Sequence, residues 1–175
     1  MNLLKYSNSI CILILCSILM GALYFQFGLH EDPCPLCLLQ RMGMIGVIFG
    51  LSLNSVFGFH AKHFGIVIIS AVVGAVFSVR QVLLHICNGP LDSGYGTPVF
   101  GLHLYTWGVL IFIASILGSA VFLLFSNSFK TATVHRILKF EKYVVYLSTL
   151  IVLINIIATF FECQFGPCCE DGPCK

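Results

Sequence analysis

The chain has 175 residues, 58% hydrophobic and 9% charged, with a mean hydropathy of +0.99 and a formal net charge of +2. A water-soluble domain carries roughly 25% charged residues, so this composition excludes a soluble globular fold. The absence of any acidic or basic block excludes a nucleic-acid partner, and the length allows one domain.

In chain order, five apolar runs follow at about 10–27, 38–59, 64–84, 104–125 and 144–161. Each is near the ~20 residues needed to cross a ~30 Å hydrocarbon core. No long polar stretch separates them and strand-like alternation is absent, which predicts an all-α integral membrane protein rather than a barrel. A cleaved signal peptide is the alternative for the first run. That run is long for such a segment, and no clean small-x-small site follows Met20. Residues 1–161 read as a transmembrane helical domain and 162–175 as a cysteine-rich tail.

Lys and Arg set the orientation. With the N-terminus inside, the cytoplasmic segments hold six basic residues: Lys5, Lys62, Lys130, Arg136, Lys139 and Lys142. The outer segments and helix ends hold three, Arg41, Arg80 and Lys175, which is the positive-inside bias. Residues 130–142 read as an ordinary inner loop in preference to a short basic helix lying on the anionic leaflet. The same topology sorts the nine cysteines. Cys11 and Cys16 fall within the first span as small apolar packing residues, while Cys34, Cys37, Cys87, Cys163, Cys168, Cys169 and Cys174 fall outside. Cysteines on the outer face with none in the inner loops point to disulfide chemistry in an oxidising compartment.

The sharpest constellation is Cys34-Pro35-Leu36-Cys37, with Gln40 and Arg41 behind it. Pro35 suits the first turn of the second helix, which puts Cys34 near the N-cap and Cys37 about one turn in. Unpaired N–H groups and the positive end of the helix dipole favour a thiolate there, the form that attacks a disulfide and leaves from one. A static disulfide and half of a zinc site are the alternatives. A static staple rarely closes so short a loop, and zinc needs two further ligands, so a redox pair is preferred and no metal ligand is assigned. Arg41 lies four residues after Cys37, inside the apolar boundary, where an arginine costs up to about 3 kcal/mol. Alone it would snorkel to headgroups; beside a redox pair its guanidinium can donate hydrogen bonds to an electron acceptor. Arg80 reads as a snorkeller and Asn155, in the fifth span, as a helix–helix hydrogen bond.

Cys34-x-x-Cys37-x-x-x-Arg41 at the outer mouth of a helix resembles the DsbB family of bacterial disulfide-forming membrane proteins. Gly101-Leu102 followed by Trp107 is similar to that family's Gly-Leu-x-x-x-x-Trp start of the fourth helix. The resemblance covers about the first four spans. It implies a four-helix transmembrane bundle of DsbB type, here with a fifth helix, in a bacterial inner (cytoplasmic) membrane with its redox cysteines on the periplasmic face. It implies that Cys37 adjoins a bound quinone, ubiquinone or menaquinone, and that Cys34 exchanges with a second disulfide. Arg41 would contact the quinone, and His85, at the end of the third span, would help line the same pocket. The implied activity is a quinone-dependent protein-disulfide oxidoreductase, and the implied partner a DsbA-like periplasmic dithiol oxidase of thioredoxin fold.

Two features depart from that pattern. Residues 86–100 hold Cys87 alone, where the best-known members carry a second cysteine pair, and the fifth span leads to a tail with Cys163, Cys168, Cys169 and Cys174. Four cysteines admit three pairings. Cys163 and Cys168, which flank a Gly-Pro turn closest to the membrane, are the expected shuttle pair in place of the missing one. The rival readings are a relative of the vitamin K epoxide reductases and a non-enzymatic metal-handling protein that uses the tail with Cys87, His85 and His103.

Overall fold

The computed structural model describes residues 2–31, 33–86, 98–125, 137–163, 168–169 and 172–173. The apolar runs fold as five helices long and apolar enough to cross a membrane. These are α1 (Asn2–Leu23), continued by a π-helical turn at Tyr24–Gly28, then α2 (Pro35–Phe57), α3 (Ala61–Ile86), α4 (Leu104–Phe125) and α5 (Lys139–Cys163). A two-residue antiparallel pair, β1 (Cys168–Cys169) with β2 (Gly172–Pro173), follows in the tail. The all-helical membrane fold is as the sequence predicts.

The helix ends reach past the apolar runs, with α1 starting at Asn2 and α5 at Lys139. Hydropathy does not register these extra turns because polar contacts hold them. Lys5 Nζ lies 3.7 Å from Glu141 Oε2, and the same oxygen accepts from Leu138 N–H at 2.9 Å, capping α5. Asn8 Nδ2 donates to Leu51 O and Ser55 Oγ, both at 3.0 Å, and so ties α1 to α2. Lys139 and Lys142 belong to the start of α5, and residues 126–136 of the inner loop lie outside the described residues.

The helices pack in the order α5–α1–α2–α3–α4, with α5 also touching α2. Small residues set the close α2–α3 approach: a Cβ on Gly43 would stand 2.7 Å from Gly74 Cα, and one on Gly50 would stand 2.6 Å from Val67 Cγ2. The buried Phe112 ring of α4 fills the space at Gly74. Lipid tails compete with any apolar face, so tight fit of this kind and interhelical hydrogen bonds hold such a bundle together. Outward positions such as Ile69, Val76, Leu117, Leu150 and Ile157 stay apolar and exposed, as a lipid-facing surface requires.

Asn155 corrects an expectation. Its Nδ2 donates within α5, to Ile151 O at 2.9 Å, rather than across to another helix. A short amide can reach back four residues to a carbonyl of its own helix, and here that local bond replaces the interhelical one.

Candidate active site

Cys34 is the N-cap of α2, in extended conformation (φ −66°, ψ 152°), and Pro35 opens the helix. Proline's fixed φ and missing N–H suit that position, where an amide would have no intrahelical acceptor. The Cys34 sulfur takes the place of a capping oxygen: Cys37 N–H donates to Cys34 Sγ at 3.1 Å. Cys34 and Cys37 are joined in a disulfide. Cys34 is buried at 7% exposure, whereas Cys37 is partly exposed and opens onto a cavity.

That cavity has a volume of about 520 Å³ and draws its walls from α1 to α4 and from the segment preceding α4. Most of the lining is apolar, and its polar members are Gln26, Glu31, Cys37, Gln40, Arg41 and Gln81. The α4 side is built by a tight reversal. Val99 and Leu102 exchange backbone hydrogen bonds of 2.9 and 3.1 Å across Phe100 (φ 52°) and Gly101 (φ 79°). Two successive positive φ values define a hairpin turn that favours glycine at its second central position. Trp107 Nε1 then donates to Val99 O at 3.0 Å and locks the turn onto the helix. The Gly-Leu-x-x-x-x-Trp stretch thus shapes a wall that presents Phe100, Tyr105 and Trp107 to the cavity.

Arg41 does not snorkel. It is 8% exposed and turns into the bundle, donating from Nη1 to Gln26 Oε1 at 2.6 Å and from Nη2 to Ala22 O at 3.0 Å. Both acceptors lie where α1 passes into its π-helical turn, a widened geometry that frequently marks functional positions. Gln26 passes the contact on: its Nε2 donates to Glu162 Oε2 at 3.0 Å, at the end of α5. Arg80, by contrast, is exposed.

Gln40 and Gln81 complete the polar lining. Gln40 Nε2 donates to Gln81 Oε1 at 2.6 Å, and Gln81 Nε2 lies 3.3 Å from Cys34 Sγ and 3.5 Å from Cys37 Sγ. Of the four glutamines in the chain, the three that fall within or beside the spans all line this cavity. Sequence reasoning passed over Gln26, Gln81 and Glu162. For the two glutamines a signal of position, though not of partner, was there, since an amide inside an apolar span marks a place where helices meet; Glu162 carried none.

His85 stands one layer behind the cavity. Its Nδ1 lies 2.8 Å from Gln81 O, and its ring stacks on Tyr105, which does line the cavity, at 5.2 Å between centroids. His103 also stacks on Tyr105, at 5.3 Å. Among the described residues no group of three or more His, Cys, Asp or Glu side chains could hold a metal ion. Cys163, the last residue of α5, is buried and disulfide-bonded. The side chains of Cys168 and Cys169, together with Cys87 and Cys174, lie outside the described residues.

Comparison with known proteins gives the family. The family model for "Disulfide bond formation protein DsbB" matches residues 5–93, about half of the chain, including α2 and the whole of α3. The chain is 34% identical over 88 residues to disulfide bond formation protein B 1 of Pseudomonas putida, which covers 49% of this chain and 52% of that protein. It is 24% identical over 145 residues to disulfide bond formation protein B of Burkholderia pseudomallei, covering 64% of this chain and 85% of the relative. Against the Pseudomonas syringae pv. tomato protein of the same name it is 31% identical over 129 residues, 55% of this chain and 76% of the relative. The chain thus spans about half the length of the first of these relatives, and no solved structure matches it. With five membrane-spanning helices and a Cys34–Cys37 disulfide at the start of the second, the chain belongs to the DsbB family of membrane disulfide bond formation proteins.

Proposed function

We propose that this protein reoxidises a DsbA-like periplasmic dithiol carrier and passes the electrons to a membrane quinone. The observation that carries this reading is the sharing of one mostly apolar cavity by Cys37 and Arg41. The residues fit a quinone: the apolar walls suit its ring and tail, and the Arg41 guanidinium would donate to a ring oxygen. When bound, a quinone supplies an acceptor for the two electrons and two protons of a dithiol.

The remaining steps belong to the chain's own side chains. A thiolate of the incoming pair attacks Cys34 Sγ, the Cys34–Cys37 bond breaks, and Cys37 leaves as a thiolate beside the cavity. The N-terminal amides of α2 favour that charge. Arg41, held by Gln26 and Ala22 O, keeps a fixed orientation toward any anion forming in the cavity. His85 supports the Tyr105 side of the cavity through the stacked rings. Cys163 and Cys168 are the proposed shuttle pair between carrier and Cys34. In support, Cys163 is disulfide-bonded and follows Glu162, which reaches Gln26 and hence Arg41. On this reading the membrane is the bacterial inner membrane and the cysteine end faces the periplasm.

The test is carrier-dependent quinone reduction by purified protein in lipid nanodiscs. Cys34→Ser and Cys37→Ser should each abolish turnover while leaving membrane insertion intact. Near-normal turnover in either variant would sink the proposal.

A further inference from the structure

We propose that Gln81 is the hydrogen-bond donor for the thiolate released when the Cys34–Cys37 disulfide opens, with Gln40 setting the direction of its amide. Gln81 is 1% exposed and stands on α3, a helix that contributes no cysteine to the pair. Its Nε2 reaches both sulfurs, at 3.3 and 3.5 Å, so whichever sulfur leaves is within its range. The direction of the amide is set by its neighbour. Gln40 Nε2 donates to Gln81 Oε1 at 2.6 Å, which leaves the Gln81 NH₂ group as the nearer end to both sulfurs, with Oε1 at 3.8 Å from Cys37 Sγ.

What this arrangement does depends on the charge of the sulfur. A disulfide sulfur is a weak, neutral acceptor, so the contact contributes little while the pair is oxidised. When an external thiolate attacks one sulfur, a new S–S bond forms to it, the Cys34–Cys37 bond breaks, and the bond's electron pair departs on the other sulfur. No oxidant enters this step. The departing thiolate is a charged acceptor, and its bond to a buried N–H is far stronger than the one it replaces. An interaction that grows as charge develops lowers the barrier to exchange. It also stabilises the reduced pair relative to the disulfide, which makes the disulfide more oxidising. The inference rests on Cys34–Cys37 being the working pair. Its test uses neither quinone nor carrier, so the two can fail separately.

The experiment follows iodoacetamide alkylation of reduced protein in nanodiscs as a function of pH, with Cys34 and Cys37 resolved by peptide mass spectrometry, together with the equilibrium of the pair against glutathione. In the wild-type protein at least one of the two should titrate below the ordinary thiol value of about 8.5. Gln81→Leu, and Gln81→Met as a second filler without a donor, should slow alkylation at pH 7 about tenfold and shift the glutathione equilibrium about tenfold toward the disulfide. Gln40→Leu should move both readouts in the same direction by less. Unchanged profiles in either Gln81 variant would reduce the residue to an interhelical fastener and overturn the proposal. If neither variant inserts, the wild-type profile decides: two cysteines that both titrate at or above the ordinary value overturn it equally.

Discussion

Two buried cations stand near opposite ends of the bundle, and they are held in different ways. Near the start of α1, Lys5 is paired with Glu141. Beside the cysteines, Arg41 is held by neutral acceptors, Gln26 Oε1 and Ala22 O, and the carboxylate of Glu162 stands one side chain further away. Both arrangements involve α5, and the second borders a cavity. A direct ion pair cancels its own field and serves as a clasp. A cation oriented by neutral groups keeps its charge available to whatever enters the adjoining space.

The largest expected effect lies where the Arg41 end continues into the tail. Deleting residues 164–175 should stop oxidation of the carrier while leaving Cys34–Cys37 oxidisable by quinone, and Cys37→Ser should trap a mixed disulfide between Cys34 and a tail cysteine. Full-rate carrier oxidation by the truncated protein would leave direct attack on Cys34, or a relay through Cys87, as the better account. At the other end, Lys5→Met removes one partner of a buried pair and should lower stability by about 3–5 kcal/mol in denaturant unfolding, with turnover per folded molecule unchanged. Replacing both Lys5 and Glu141 by Met should recover most of that loss. If turnover falls in step with stability, the clasp and the site are not separate.

Smaller effects sharpen the contrast at Arg41. Arg41→Lys keeps the charge but loses the planar fork, and should raise the quinone KM roughly tenfold with thiol exchange at Cys34 little changed. A snorkelling arginine would tolerate lysine. Glu162→Gln keeps an acceptor for Gln26 and removes only the distant charge, so the KM should change about twofold. An effect as large as that of Arg41→Lys would mean that Gln26 does not insulate the two charges.

The spans, the N-cap position of Cys34 and the inward use of Arg41 beside the pair were legible because each depends on local spacing and hydropathy. Pro35 marks the helix start within the sequence itself, and Arg41 lies one turn beyond Cys37. The glutamine network was not legible in the same way. Gln81 meets Gln40 across 41 residues of sequence and Glu162 meets Gln26 across 136, and no local pattern encodes either encounter. The π-helical turn that presents Gln26 is equally silent, since a shift in backbone pairing leaves composition unchanged. The polar contacts that extend α1 and α5 escaped for the same reason: Lys5 and Glu141 look like ordinary loop charges until the fold brings them together.

The central claim, that the Cys34–Cys37 pair delivers its electrons to a quinone held beside Arg41, is tested most directly by an anaerobic single turnover. Protein carrying reduced Cys34 and Cys37 is mixed with a water-soluble ubiquinone analogue, and the quinone absorbance is followed while the disulfide is counted by mass spectrometry. The account predicts one quinone reduced for each Cys34–Cys37 disulfide formed, with a rate that saturates in quinone and needs higher concentrations in Arg41→Lys. Quinone left unreduced, or reduced without formation of that disulfide, would contradict it.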